Sequence, residues 1–242
     1  MTSRGVDARR WAVVVIASLA PFFGAEAQRG RRQALEFTQQ NILVANFRVS
    51  DKPTRNDFKL GRQVADEVRD KLDDLVKGKE ARVIGGYETH QTLEMSSYSM
   101  DTVLTMAELW IQGQFLRADE IVTGRTQRLP NNQVKVDAVL YLWRDMLMKQ
   151  PVPTVIARSV DDAAKEVAKH LAAARQQLKP QRRCENALRL GQAPQALRFA
   201  QEGISAYPRS TLARTCRMWA LSNAGSPVTQ VLDEAQTILG IG

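Results

Sequence analysis

The sequence contains few of the residues that most often carry catalysis or bind metals. Of its 242 residues, only two are cysteines and two are histidines, and aromatic residues make up 6%. Two cysteines exclude both a disulfide-dense small domain and a four-cysteine zinc site. The hydrophobic fraction of 44% is too high for intrinsic disorder and predicts a globular chain that buries a core.

Sequence motifs of the common enzyme classes are also missing. The chain has no Walker loop, no GxGxxG after a strand, no HExxH and no GxSxG. His90 and His170 lie near glutamates in polar surroundings, which is typical of solvated pairs rather than of catalytic dyads. We therefore expect a protein that is not an enzyme and that uses no cofactor and no metal.

Residues 1–27 are typical of a secretory signal peptide. Arginines precede a fourteen-residue apolar run from Trp11 to Gly24, and Ala25-Glu26-Ala27 offers the small residues that signal peptidase requires. A membrane-spanning helix needs about 20 apolar residues, so an uncleaved anchor is the lesser alternative. We expect cleavage near Ala27, membrane contact only through the signal peptide, and a periplasmic or secreted mature protein.

The positive charge is concentrated towards the two ends of the chain. The formal net charge is +8, and residues 28–40 form a basic linker. Residues 42–174 are balanced, whereas nine basic and only four acidic residues follow from Arg175 onward. This charge suits an acidic peptide, an acidic protein or anionic lipid. Nucleic acid is an unlikely partner, because the few aromatic residues there are spaced for helix packing rather than for base stacking.

Residues 41–178 are predicted to form an α/β domain. The pattern gives a strand at 41–49, an amphipathic helix at 58–76, a strand at 81–84, a mostly helical stretch at 87–116, a hairpin of strands 118–129 and 134–143, and a helix from Val160 to about Leu178. Within the helical stretch we expect Met106, Leu109, Trp110 and Phe115 to lie in the core. The fold class is therefore a mixed sheet with packed helices.

This order of elements resembles the TolB N-terminal-like domain, which is related in shape to CsgG-type envelope proteins. The resemblance rests on the strand Ile42–Phe47, the helix from Leu60 to Leu75 followed by Ala81–Ile84, and Leu116–Gly124 followed by Val134–Leu140. The family usually has proline where this chain has Asn46. The resemblance implies an adaptor or assembly domain, and it carries over no catalytic residue.

Residues 181–242 are predicted to be all α-helical and resemble about two tetratricopeptide repeats. Leu190-Gly191, Ala196, Ala200, Gly203 and Pro208 occur at the offsets of that family, and Gly225 follows Gly191 by the family's period of 34 residues. The alternative is a small bundle of unrelated helices. Because two repeats are fewer than a stable stack usually needs, we expect this region either to pack on the α/β domain or to continue further, and to leave a stacking face uncovered.

These observations favour a non-catalytic scaffold or adaptor protein of the bacterial cell envelope. It would bind protein partners, such as an acidic peptide or an envelope complex, through the α/β domain and the basic repeat surface. The candidate partner-binding residues are Arg189, Arg198, Arg214 and Arg217. The alternative is a periplasmic ligand-binding or sensory module with a small-molecule site between the sheet and residues 87–116.

The two cysteines allow two interpretations. Cys184 and Cys216 would lie on the first helices of successive repeats, which are neighbours in such stacks, and an exported chain meets oxidising conditions. The two side chains could therefore be close enough to form a disulfide. Two separate buried thiols are the other interpretation.

Overall fold

The computed structural model describes residues 39–49, 59–78 and 81–241. The signal peptide, its cleavage site and the basic linker up to residue 38 lie outside the described residues. All described residues belong to one compact unit, Gln39–Gly242. Among them, no helix combines the length and the apolar character needed to cross a membrane.

The described chain has seven strands that form a single mixed sheet. They are β1 (Gln40–Val44), β2 (Arg48–Val49), β3 (Ala81–Val83), β4 (Glu120–Arg128), β5 (Val134–Leu142), β6 (Asp145–Pro151) and β7 (Val155–Ala157). The strand order is β3-β1-β4-β5-β6, with β2 beside β4 and β7 beside β5. Strand β1 is parallel to β3 and β4, and β5 is antiparallel to β4, β6 and β7.

Eight α-helices lie within the described residues. They are α1 (Leu60–Val76), α2 (Gly86–Met95), α3 (Met106–Phe115), α4 (Val160–Ala174), α5 (Leu178–Arg189), α6 (Ala193–Ala206), α7 (Leu212–Asn223) and α8 (Val228–Ile241). A short 3-10 turn, Arg175–Gln177, joins α4 to α5. The predicted domain boundary near residue 180 therefore falls inside α5.

The sheet separates two apolar layers because successive side chains of a strand point to opposite faces. Ile42 and Val44 pack with α1 and α4 in the larger core, whereas Leu43 packs on the other face with Leu109 of α3. The amphipathic helix and the β4–β5 hairpin predicted from the sequence are confirmed. The mixed sheet with packed helices matches the expected fold class.

The structure corrects four details of the sequence interpretation. The strand expected at 41–49 is two strands, β1 and β2, and the helical stretch at 87–116 is two helices joined by a ten-residue loop. Strand β6 was not anticipated because its polar residues hide the alternation, and β7 was not anticipated because its three residues are too few to show one. Of the side chains expected in the core, Met106, Trp110 and Phe115 are exposed, and Leu109 alone is buried.

Helices α5–α8 pack one after another and dock against the sheet at β6. The side chain of Gln150 in β6 is fully buried, and its Oε1 accepts from Gln177 Nε2 at 2.9 Å and from Thr211 N at 2.7 Å. Gly191 and Gly225 end α5 and α7 with the same left-handed φ of +69°, a conformation that glycine adopts without strain. The assignment of these helices to tetratricopeptide repeats stays a prediction.

Candidate functional site

A concave site lies in the cleft between α2 and α3, within the described residues. Helix α3 begins with a capping box: Thr105 Oγ1 accepts from Glu108 N at 3.3 Å, and Thr105 N donates to Glu108 Oε2 at 2.7 Å. The Tyr98 hydroxyl donates to Glu108 Oε1 at 2.7 Å. These bonds fix the loop and the first turn of α3 as one unit.

Helix α3 is held to the sheet by a tryptophan pair. Trp143, at the end of β5, donates from Nε1 to the carbonyl of Trp110 at 2.8 Å, and the two rings stack with centroids 5.8 Å apart. Gly113 permits this approach, since a Cβ at that position would lie 2.5 Å from the Trp143 ring. The outer side of α3 therefore keeps a fixed position relative to the sheet.

The cleft contains a cavity of about 210 Å³ with mostly apolar walls. Its apolar lining comes from both helices and their loop: Leu93, Leu104, Ile111 and Phe115. The polar lining residues are Thr92, Ser96, Tyr98, Glu108 and Gln112. Phe115, which lines the cavity, is 73% exposed, and Met95 and Tyr87 of α2 are 80% and 78% exposed. Hydrophobic side chains that the sequence placed in the core instead form an outer surface.

The segment that forms this cleft is acidic, although the chain as a whole is basic. Residues 83–116 contain Glu88, Glu94, Asp101 and Glu108 and no lysine or arginine. Glu88 pairs with Arg82, and Asp101 lies 3.2 Å from Arg62 Nε. Within the described residues, Glu94 and Glu108 form no ion pair with a lysine or arginine.

Hydrogen bonds keep Glu108 in its charged form. The Tyr98 hydroxyl, followed by the backbone and side chain of Thr105, lowers the pKa of the Glu108 carboxyl below its ordinary value. The same contact raises the pKa of the Tyr98 hydroxyl, because proton donation to a carboxylate favours the neutral phenol. The cleft therefore presents a negative charge beside an apolar cavity at neutral pH.

The four candidate arginines are divided among different environments. Arg214 and Arg217 both bind the nearly buried carboxylate of Glu234 in α8, each at 3.0 Å. Arg189 donates to Asn186 Oδ1, and the Arg198 guanidinium lies 5.2 Å from the centre of the Phe199 ring. Arg214 and Arg217 thus hold α8 against α7, which is a structural contact that the sequence pattern did not reveal. The partner-binding role of all four arginines stays a prediction.

Cys184 and Cys216 form a disulfide between α5 and α7. Their Cα atoms are 6.4 Å apart and both side chains are fully buried. They belong to a small apolar cluster with Phe199, Ala196 and Ala200. The bridge therefore joins two neighbouring helices of the C-terminal region.

A polar cluster lies where β1 ends. Arg69 is buried and donates from Nη2 to the Val44 carbonyl at 2.8 Å and from Nη1 to Asp66. Asn46 donates to the carbonyls of Met100 and Thr102 at 2.7 and 2.9 Å, so the α2–α3 loop closes over the strand end. No group of three or more His, Cys, Asp or Glu side chains among the described residues could hold a metal ion.

The α2–α3 cleft was not predicted from the sequence, because hydrophobic residues of this stretch were expected to be buried. One signal was available: the stretch 83–116 has four acidic residues, no lysine or arginine, and many large apolar side chains. In a buried helix pair such carboxylates would need basic partners.

Comparisons with known proteins found similar solved structures, among them two LpoB C-terminal domains. No protein-family model and no curated protein matches the sequence. The LpoB C-terminal domain from Salmonella enterica covers 50% of this chain and 84% of its own, with 11% identity and a TM-score of 0.32. The LpoB C-terminal domain from Escherichia coli covers 50% and 82%, with 10% identity and a TM-score of 0.31. At these TM-scores we base no functional argument on the similarity.

Proposed function

We propose that this chain is a non-catalytic adaptor protein of the bacterial cell envelope that binds protein partners. The observation that carries the proposal is the exposed apolar surface of α2, α3 and their loop. Soluble monomers rarely expose large apolar patches unless these serve binding. Tyr87, Met95 and Phe115 are each more than 70% exposed, and Ile111 is about half exposed beside the same cavity.

The basic C-terminal region provides a second binding surface in this proposal. Residues 175–241, which include four consecutive helices, carry nine basic and four acidic side chains. Arg183 and Arg198 both lie over the Phe199 ring, at 4.0 and 5.2 Å, which holds two cationic groups at the surface of α5 and α6. We propose that this tetratricopeptide-like surface binds an acidic peptide or protein.

The non-catalytic part of the proposal is supported by the sequence, which has no Walker loop, no HExxH and no GxSxG motif. Export and a periplasmic or secreted location complete the proposal, and they rest on the signal-peptide pattern of residues 1–27.

A second candidate function is a periplasmic ligand-binding or sensory module. The cavity between α2 and α3 favours it, because Tyr98, Glu108 and Gln112 place polar groups on apolar walls. At about 210 Å³, however, the cavity is smaller than the 300–1,000 Å³ typical of small-molecule sites. We therefore rank the adaptor function first.

The experiment is a pull-down of the full chain from envelope extract at low and at high salt, with bound proteins identified by mass spectrometry. We expect at least one specific partner that is retained by the wild-type chain. If the variant with both Arg189→Glu and Arg198→Glu no longer retains the partner, the partner binds the basic surface. If Phe115→Ser no longer retains it, the partner binds the α2–α3 surface. If neither salt condition yields a partner that any surface variant releases, the adaptor function is wrong.

A further inference from the structure

We propose that the cleft between α2 and α3 binds a basic amphipathic segment of a partner protein, with one apolar side chain in the cavity and a lysine or arginine on Glu108. This inference rests on the proposed adaptor function and names the partner chemistry of one of its surfaces. Three properties of the cleft carry it: its charge, its size and the position of its carboxylate.

Charge complementarity favours a basic partner. The segment 83–116 carries four carboxylates, and it contains no lysine or arginine. Two of these carboxylates are compensated by Arg62 and Arg82 from other elements. Glu94 and Glu108 have no such ion pair within the described residues, so they are available to a positively charged ligand. Opposite charge on the partner would speed association and select against acidic proteins.

The size of the cavity favours a side chain rather than a whole small molecule. A volume of about 210 Å³ has room for one large apolar side chain, and the walls from Leu93, Leu104 and Ile111 are apolar. Binding energy at protein interfaces is concentrated in such anchor residues, which fill a pocket near the centre of the contact. The exposed side chains of Met95 and Phe115 would extend the apolar contact beyond the cavity.

Glu108 lies where a lysine or arginine next to the apolar anchor side chain would contact it. It lines the cavity, and the Tyr98 hydroxyl and Thr105 N hold its carboxylate in one orientation at 2.7 Å each. A preorganised carboxylate loses little side-chain entropy when a cation binds, which increases the net gain from the contact. An amphipathic helix with an apolar and a basic face combines both features at neighbouring positions.

The test measures fluorescence anisotropy of a labelled amphipathic peptide built from leucine, alanine and lysine, titrated with the full chain. We expect saturable binding that weakens at high salt. Two comparison peptides, one with glutamate in place of lysine and one with serine in place of leucine, should bind much more weakly. Loss of binding by the serine peptide but not by the glutamate peptide would overturn the charge part of the proposal.

Protein variants then locate the site. Phe115→Ser should weaken binding by about tenfold, and Glu108→Gln by about threefold at low salt, a difference that high salt removes. Glutamine can retain the capping box of α3, and Glu94→Gln provides a second charge variant should Glu108→Gln lose its fold. The matched controls are Leu239→Ser and Asp233→Asn in α8, which are exposed and should leave the affinity unchanged.

The outcomes separate this inference from the proposed function. Equal loss of affinity in the α8 controls, or binding of the peptide by Phe115→Ser at wild-type strength, would show that the cleft is not the site. If the peptide does not bind but envelope extract yields a partner that Arg189→Glu with Arg198→Glu releases, the inference is wrong and the adaptor function stands. If a small apolar compound binds the cleft while no peptide binds, the cleft is a ligand site instead.

Discussion

Removal of the buried glutamine in β6 should destabilise the whole described unit. Gln150 is fully buried between the sheet and the C-terminal helices, and its side chain bonds Gln177, the backbone N of Thr211 and the carbonyl of Arg209. In Gln150→Leu the volume is similar, but three backbone groups lose their side-chain partner: the buried Thr211 N and the half-buried carbonyls of Pro151 and Arg209. A buried group left without a partner costs about 1–3 kcal/mol, and a half-buried one about half as much.

The expected loss of unfolding free energy is therefore about 2–6 kcal/mol, a large part of the 5–15 kcal/mol of a typical domain. The matched control is Gln127→Leu in β4, where the glutamine is exposed and the change should stay within about 0.5 kcal/mol. Urea denaturation followed by circular dichroism measures both differences.

The same experiment shows whether sheet and C-terminal helices unfold together. Trp143 reports on the sheet and Trp219 on α7, and the fluorescence of variants that keep only one of the four tryptophans, with the other three replaced by phenylalanine, can follow each one separately. One compact unit predicts coincident transitions for both probes. A loss below about 1 kcal/mol for Gln150→Leu, or an earlier transition at Trp219 in the wild-type chain, would refute the reasoning.

Three further predictions concern contacts outside this network. Replacing Cys184 and Cys216 together by alanine should lower the unfolding free energy by about 3–4 kcal/mol, because the bridge closes a loop with a sequence separation of 32; thermal unfolding with and without reductant measures this. Lys71 lowers the pKa of the Asp161 carboxyl, so this ion pair stabilises the folded chain above the unfolded-state pKa of the carboxyl, and the stabilisation is lost below about pH 4. Asp161→Asn should therefore flatten the acid part of the curve of unfolding free energy against pH. Glu234→Gln should weaken the two arginine contacts to α8 by about 1–3 kcal/mol and speed amide hydrogen exchange in α8.

Each of these has a result that would contradict it. Equal stability of the wild-type chain in oxidising and reducing buffer would remove the role given to the disulfide. If the unfolding free energy of Asp161→Asn falls as steeply in acid as that of the wild-type chain, other carboxylates cause the loss of stability. Unchanged exchange in α8 would mean that Glu234 does not hold the helix.

The elements best predicted from the sequence are those whose pattern is local. The apolar spacing along α1 and the alternation along β5 follow from the period of a helix and of a strand, so both were found. The start of α4 is also fixed locally, since Ser159 Oγ accepts from Asp162 N at 3.1 Å.

The features that were missed depend on distant parts of the chain. Glu234 meets Arg214 and Arg217 only after α8 folds back on α7, and no spacing rule predicts that pairing. The break after β1 depends on Asn46 binding carbonyls more than fifty residues away. Phe115 lies on the outer side of α3, and hydrophobicity alone does not distinguish an outer apolar face from a core.

The most direct test of the adaptor function is photo-crosslinking in envelope extract. A photoreactive phenylalanine analogue at position 115 replaces a side chain that is 73% exposed beside the cleft, and the same analogue at Leu147 in β6, which is 90% exposed, serves as the control. The account predicts a discrete protein adduct from position 115 that is absent from position 147. No adduct at position 115, or the same adducts at both positions, would contradict it.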